Sequence, residues 1–237
     1  MGTLLGARNS PTTRKGSETD NVFVARAMAM AELARTEQSS YVEPIKCRQS
    51  IKADIASSVR AQGVPERILS TFISDTEPRY TTAMKAVSRF MKASRDGWCL
   101  ILAGPKGTGK STAAAHYLWA TAPKGYSGLP TTQRWWTAAK VSRVSSYDDQ
   151  LESLMKVPVL VIDDLGVEYI DKNGHFLSRL DELIDARWSN FRRTIITTNL
   201  NPPDFQKRYN SRVTDRIRHG FKHGGEYVQI NEKSLRA

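Results

Sequence analysis

The feature that most constrains the fold is the run from Gly104 to Ser111, which fits the pattern G-x-x-x-x-G-K-[ST]. Glycines in this pattern let backbone amides converge on phosphate oxygens, and the helix that follows adds the positive end of its dipole. The pattern requires a strand before it and a helix after it. Residues 98–103 are mostly apolar and an alanine-rich stretch follows Ser111, so both are predicted. These residues therefore predict a loop that binds nucleotide phosphates.

The residues of this loop have separate predicted roles. Lys110 is expected to reach the β- and γ-phosphates, and the hydroxyl of Ser111 is expected to bind Mg²⁺. Guanine selectivity would require an N-K-x-D element after a later strand, and the sequence has none. ATP with Mg²⁺ is therefore the predicted cofactor. The predicted nucleotide contacts are Gly104, Pro105, Lys106, Gly107, Thr108, Gly109, Lys110, Ser111 and Thr112.

Two later strands are predicted to end in polar residues beside this loop. The apolar run at residues 157–162, typical of a parallel strand buried on both faces, ends in Asp163 and Asp164. Asp163 is expected to hold Mg²⁺ and Asp164 to position the attacking water; an acidic pair that merely begins a turn is the alternative. Asn199 follows residues 194–198 and could orient the same water. The carboxyl ends of parallel strands face one crevice, where these side chains would meet.

The alternation of apolar runs and helical stretches predicts the fold class. The chain is expected to be an α/β protein, a P-loop NTPase with a doubly wound, five-stranded parallel sheet. Residues 1–20 are predicted to be a disordered tail, residues 21–75 a helical N-terminal segment that either binds a partner or packs on the main domain, and residues 76–237 the ATPase domain. The predicted strands lie at residues 98–103, 133–137, 158–163, 194–198 and 226–230.

Charge and cysteine content restrict the partners and the compartment. The formal net charge of +11 favours a polyanion such as nucleic acid. Cys47 and Cys99 lie far apart and neither belongs to a C-x-x-C pair, which argues against a disulfide framework and fits a reducing cytoplasm. No apolar run approaches the roughly 18 residues that cross a bilayer. A soluble protein without a membrane partner is expected.

Five stretches between residue 63 and the end of the chain carry a resemblance to a known family. They are Gly-Val-Pro-Glu-Arg from Gly63, the phosphate loop, Val-Ile-Asp-Asp-Leu-Gly ending at Gly166, Thr-Thr-Asn ending at Asn199, and Ser-Arg-Val-Thr-Asp-Arg-Ile from Ser211. Together they resemble the AAA+ ATPases of the DnaC/DnaI helicase-loader and IstB transposition-helper family. This resemblance implies an AAA+ domain without the helical lid that many such proteins carry.

The resemblance also implies roles for three arginines. Arg216 resembles an arginine finger that reaches the γ-phosphate of a neighbouring subunit, Arg212 stands beside it, and Arg236 resembles a sensor-2 arginine. The alternative for each is a solvated or phosphate-contacting side chain. A finger supplied in trans implies ATP-dependent self-association. Asp164 stands where the family usually has Glu, so slow turnover is expected.

The function implied by the resemblance is that of a helicase loader. Such an ATPase binds a hexameric replicative helicase, here through residues 21–59, and delivers it onto single-stranded DNA at replication initiation. A transposition helper that binds duplex DNA and a transposase is the first alternative. The second is an adaptor that binds ATP but scarcely hydrolyses it.

A stretch after the second predicted strand is a candidate for DNA contact. Lys140, Arg143 and Tyr147 lie near Trp135 and Trp136, and cations mixed with aromatic rings suit contact with phosphates and bases. Tryptophans on a strand are more often part of the core, and both interpretations remain open from the sequence.

Overall fold

The structure, a computed structural model, describes residues 45–74, 80–122, 132–145 and 149–235, with side chains from Ser50 onward. The tail predicted at residues 1–20 lies outside the described residues, as do Tyr147 and Arg236. Within the described part of the chain, no helix combines the length and apolar character that crossing a bilayer requires.

Five parallel strands form the central sheet of the described residues. Their order across the sheet is β2-β3-β4-β1-β5, so the strand that enters the phosphate loop lies between β4 and β5. The prediction of a doubly wound, five-stranded parallel sheet is confirmed. The strands are β1 (Cys99–Ala103), β2 (Gln133–Thr137), β3 (Val159–Leu165), β4 (Arg193–Thr198) and β5 (Glu226–Gln229).

Nine helices in the described residues cover the two faces of the sheet. They are α1 (Ile45–Ala61), α2 (Glu66–Ile73), α3 (Thr82–Lys92), α4 (Lys110–Thr121), α5 (Ala138–Val141), α6 (Asp149–Lys156), α7 (His175–Ser189), α8 (Pro202–Arg208) and α9 (Ser211–Phe221).

Each face of the sheet has its own hydrophobic core because side chains alternate along a strand. Leu100 and Leu102 of β1 pack with apolar residues of α1 to α4 on one face. Ile101, between them, packs with apolar residues of α5 to α9 on the other. Val59 of α1 and Leu69 of α2 are fully buried in the first core. The partner-binding role predicted for residues 21–75 stays a prediction.

A buried arginine joins α6, α7 and β4. The guanidinium of Arg187, which is fully buried, donates to the backbone oxygens of Leu154 (2.6 Å), Val157 (2.9 Å) and Arg193 (2.6 Å), and to Oγ1 of Thr194 (2.8 Å). All four acceptors are neutral. Burial lowers the pKa of this guanidinium to about 9, which leaves it charged at neutral pH.

Replacing Arg187 with methionine is expected to lower the free energy of unfolding by about 2 to 4 kcal/mol, because the buried carbonyl groups of Leu154 and Val157 lose this donor. Urea denaturation followed by circular dichroism measures the loss. Arg60→Met is the control, since Arg60 is half exposed and pairs with Glu66 at the surface. An Arg187→Met protein with an unchanged urea midpoint would contradict this account.

Candidate nucleotide site

The loop between β1 and α4 has a backbone that requires glycine. Gly104 has φ of 148°, and a Cβ at this position would lie 2.3 Å from the backbone oxygen of Ile230. Gly109 has φ of 84° and is the N-cap of α4. Glycine has no side chain to cap the first turn, so the amides there remain available to an anion. The loop therefore has the form predicted for a phosphate site.

Lys110 connects this loop to the end of β4. Its side chain is 5% exposed, and Nζ donates to the backbone oxygens of Gly104 and Pro105, both at 2.7 Å. It also donates to Oδ1 of Asn199 at 3.1 Å. Two residues that are 89 positions apart in sequence, and that were both predicted at the site, are thus brought into direct contact.

Asp163 connects β3 to the loop and to β4. Its Oδ1 accepts hydrogen bonds from Oγ of Ser111 at 2.8 Å and from Oγ1 of Thr197 at 2.6 Å. Burial raises the pKa of this carboxyl group, while the hydrogen bonds from Thr197 and Ser111 act in the opposite direction and the charge of Asp164 adds to the rise. The two residues predicted to bind Mg²⁺, Ser111 and Asp163, are therefore in contact.

Asp164 has a left-handed backbone conformation, with φ of 57°. The β3–β4 register shifts between Ile162 and Leu165, and the amide of Asp164 donates to Oγ1 of Thr197 at 2.9 Å. A bulge of this kind changes the direction of a side chain at the end of a strand. Asp164 is half-buried and lines the cleft beside the loop, whereas Asp163 is buried beneath it. The adjacent acids thus have different positions.

Thr197 was missed by the sequence analysis. Its hydroxyl donates to Asp163 and accepts from the amide of Asp164, so it positions both acids. Threonine is a common strand residue, and only the Thr-Thr-Asn stretch noted for its family resemblance pointed to it.

A cleft of about 700 Å³ lies above the loop. Its volume falls in the range of small-molecule sites. Loop residues, Asp164 and Asn199 line one part of it, and Arg67, Ile68 and Thr71 of α2 line another. Sequence reasoning missed the α2 wall, although Arg67 belongs to the Gly-Val-Pro-Glu-Arg stretch.

A buried glutamate fixes the segment that follows β3. Glu168 accepts hydrogen bonds from the amide of Gly166 (2.6 Å), from Nε of Arg208 (3.0 Å) and from the hydroxyl of Tyr209 (2.9 Å). Its side chain is fully buried. The neighbouring Val167, which lines the cleft, is thereby held in place.

The arginines predicted by resemblance lie away from this cleft. Arg216, on α9, is 15% exposed and its guanidinium contacts Oδ1 of Asp181 (2.7 Å) and Oδ1 of Asp185 (2.6 Å) on α7. Arg212 is 66% exposed and lies 3.4 Å from Asp181. Neither lines the nucleotide cleft of its own chain. A role in a neighbouring subunit stays a prediction, and Arg236 lies outside the described residues.

The two tryptophans of β2 belong to the core. Trp135 is 3% exposed and Trp136 is 7% exposed, so neither ring has a free face for a nucleic-acid base. Nζ of Lys140 lies 4.0 Å from the centre of the Trp136 ring. The core interpretation is correct, and base stacking on these rings is wrong. The DNA contact predicted for Tyr147 falls outside the described residues.

Comparison with known proteins identifies the family of this chain. A family model described as "IstB-like ATP binding protein" matches residues 46–237. The chain belongs to this family. A comparison with curated proteins found no match. The resemblance to the AAA+ ATPases of the DnaC/DnaI and IstB group is thus confirmed.

Solved structures share the fold of this IstB-like chain. A protein of Streptococcus pyogenes serotype M3 described as a primosome component is 18% identical, with 76% of this chain and 98% of that chain covered and a TM-score of 0.55. DnaI is 21% identical over 73% and 94% of the two chains, with a TM-score of 0.54. The DnaC helicase loader is 19% identical, with 70% of this chain and 100% of that chain covered and a TM-score of 0.50. At these identities the likeness concerns the fold alone.

Replacing Asp163 with asparagine is expected to stabilise the protein in the absence of nucleotide and metal. Because burial raises the folded-state pKa, the stability linked to protonation of Asp163 is complete below the unfolded-state pKa. It is lost as the pH rises through the folded-state pKa. Asparagine carries no charge and its Oδ1 can keep both hydrogen bonds, so the variant should melt higher at neutral pH.

Thermal unfolding in EDTA at neutral and acidic pH checks this expectation, with the gain disappearing in acid. Asp54→Asn is the control, because Asp54 is an exposed carboxylate on α1, away from the site. A lower melting temperature for Asp163→Asn at neutral pH would show that the ionised carboxylate of Asp163 does not destabilise the folded state.

Proposed function

We propose that this IstB-like protein binds and hydrolyses ATP with Mg²⁺ at the carboxyl ends of β1, β3 and β4. The observation that carries the proposal is the pair of contacts between the loop and the strands. Ser111 lies 2.8 Å from Asp163, and Lys110 lies 3.1 Å from Asn199. Hydroxyl, carboxylate, ammonium and amide groups thus converge beside a glycine loop and an uncapped helix N-terminus, which fits an ATP–Mg²⁺ site.

The loop and Lys110 bind the phosphate groups. Residues of the loop and of the first turn of α4 line the cleft, and free amides and the positive end of the helix dipole favour negative charge there. The ammonium of Lys110 exchanges its contacts with the carbonyls of Gly104 and Pro105 for phosphate oxygens. These interactions oppose the charge that develops on the transferred phosphoryl group.

Ser111 and Asp163 are the protein groups that would hold Mg²⁺. The described residues contain no cluster of three or more His, Cys, Asp or Glu side chains suited to a metal. Magnesium in phosphate sites needs only one or two carboxylates in addition to the substrate phosphates, so the present donor set fits. When bound, the ion neutralises charge between the β- and γ-phosphates.

Asp164 and Asn199 act on the attacking water. Asp164 lines the cleft, and the hydrogen bond from its backbone amide to Thr197 holds it there. Its carboxylate is therefore the group that orients the water and accepts its proton. The amide of Asn199, fixed against Lys110, orients the same water beside the terminal phosphate. Thr197 is a positioning residue, because it contacts both acids without lining the cleft.

The Lys110→Ala variant is expected to lose ATP binding. The Arg216→Ala variant is expected to bind ATP but to hydrolyse it roughly 10³-fold more slowly. Isothermal titration calorimetry and phosphate release measure the two properties. Arg218→Ala, on the same helix and bonded to neutral Gln206, is the control. Full hydrolysis by Arg216→Ala would rule out the finger, and ATP binding without hydrolysis in the wild type would favour the adaptor alternative.

In the cell, this ATPase acts as a helicase loader in the cytoplasm. It binds a hexameric replicative helicase and delivers it onto single-stranded DNA at replication initiation, assembling through Arg216 in trans. The fold shared with DnaI and with the DnaC helicase loader supports this role. The net charge of +11 supports contact with nucleic acid.

A transposition helper is the second candidate function. The family match over residues 46–237 is to IstB-like proteins, and this observation favours an ATPase that binds duplex DNA and a transposase. Both functions use the same nucleotide site, so the partner distinguishes them.

Gel filtration with the cognate replicative helicase tests the loader role. With ATP and Mg²⁺, the wild-type protein is expected to co-elute with the helicase in a stoichiometric complex, whereas Lys110→Ala elutes separately because it cannot bind ATP. The transposase from the same genome, mixed with duplex DNA, serves as the alternative partner. Co-elution with the transposase alone would replace the loader role with the transposition role.

A further inference from the structure

A second cleft lies at the opposite edge of the sheet from the nucleotide site. It has a volume of about 280 Å³ and is formed where β3 and β4 begin. Arg95, Arg192 and Arg193 line it together with Asn190 and Phe191. Among the described residues that line it, none is acidic. We refer to it as the basic cleft.

The positive charge of the basic cleft is not cancelled by carboxylates. Arg95 is exposed, Arg192 is partly exposed, and neither has an ion-pair partner among the described residues. Arg193 donates to the backbone oxygens of Phe90 (3.0 Å) and Gly97 (3.3 Å), which are neutral. The buried Arg187 also has only neutral acceptors among its side-chain hydrogen bonds. Four guanidinium groups of one sign concentrate a positive potential here.

Phe191 occupies a backbone position that usually holds glycine. Its φ is 49°, its amide donates to the oxygen of Trp188 (3.1 Å), and the amide of Arg192 donates to the oxygen of Arg187 (2.9 Å). These two bonds form the Schellman motif that ends α7, in which the left-handed residue is most often glycine. The Phe191 side chain is nevertheless 36% exposed. An aromatic ring in this place is disfavoured by the backbone and is only partly buried.

We infer that the basic cleft binds single-stranded nucleic acid, with Arg95 and Arg192 contacting phosphates and Phe191 stacking on a base. Unpaired guanidinium groups suit phosphate oxygens, and an exposed ring beside them suits a base. A base offers its face only when it is not stacked in a duplex, which selects single strands. The site is separate from the nucleotide cleft and does not require bound ATP.

Phe191→Gly separates binding from stability. Glycine is the preferred residue at this position, so the variant is expected to melt at an equal or higher temperature. Its affinity for a fluorescein-labelled oligothymidine, measured by fluorescence anisotropy without nucleotide, should fall roughly 5- to 150-fold. Phe191→Tyr keeps an aromatic ring and should retain wild-type affinity. If Phe191→Gly binds as tightly as the wild type, the stacking role is wrong.

The double variant Arg95→Gln, Arg192→Gln tests the phosphate contacts. The slope of log affinity against log salt concentration should fall in magnitude by about 1.4, because each lost single-strand phosphate contact contributes about 0.7. Arg218→Gln, which removes an exposed arginine elsewhere, should weaken binding less. An unchanged slope in the double variant would overturn the proposal.

Two further measurements separate this site from the other interpretations. Lys110→Ala should bind the oligothymidine as the wild type does, so loss of ATP binding and loss of strand binding are independent results. Light scattering reports self-association of the same variants. If the basic-cleft variants bind the strand normally but fail to self-associate, the cleft is a protein interface and the nucleic-acid proposal is wrong.

Discussion

One carboxylate oxygen, Oδ1 of Asp163, connects the parts of this protein that must act together. It accepts a hydrogen bond from Ser111 at the start of α4 and another from Thr197 at the end of β4, while Asp163 itself belongs to β3. The loop can therefore not move independently of these two central strands. Two hydroxyl groups reduce the cost of burying this negative charge, and a divalent cation would remove much of the remainder.

The opposite edge of the sheet holds a buried charge of the opposite sign. Arg187 is satisfied by backbone carbonyls and one hydroxyl, and Arg192 and Arg95 lie nearby without carboxylate partners among the described residues. The β-strands thus begin at a positively charged edge, where we infer that single-stranded nucleic acid binds. They end at an edge with a glycine loop and two acidic side chains. The DnaC and DnaI structures share the fold, but a fold alone does not specify a partner. The function of this protein depends on the side chains at these two edges.

The sequence predicted the sheet and the centre of the nucleotide site, because both depend on local patterns. An apolar run ending in Asp163 indicates a buried parallel strand, and the glycines around Lys110 have conformational requirements that few other residues meet. The other features of the site depend on strand register and on contacts between residues far apart in sequence. The bulge that turns Asp164 toward the cleft arises from the pairing of β3 with β4, and the α2 wall comes from residues about 40 positions before the loop. Tryptophan is a residue type that can stack on a base, and only the burial of Trp136 in one of the two cores shows that it does not do so here.

The two carboxylates that hold Arg216 have a consequence for how subunits would exchange. A guanidinium that already pairs with Asp181 and Asp185 leaves them only for a stronger anion. On the proposed role of Arg216 in trans, the terminal phosphate of ATP in an adjacent subunit would be such an anion, and Arg216 would pair again with Asp181 and Asp185 once that phosphate leaves. On that proposal, the acids of α7 and the triphosphate of a neighbouring subunit would compete for the same guanidinium.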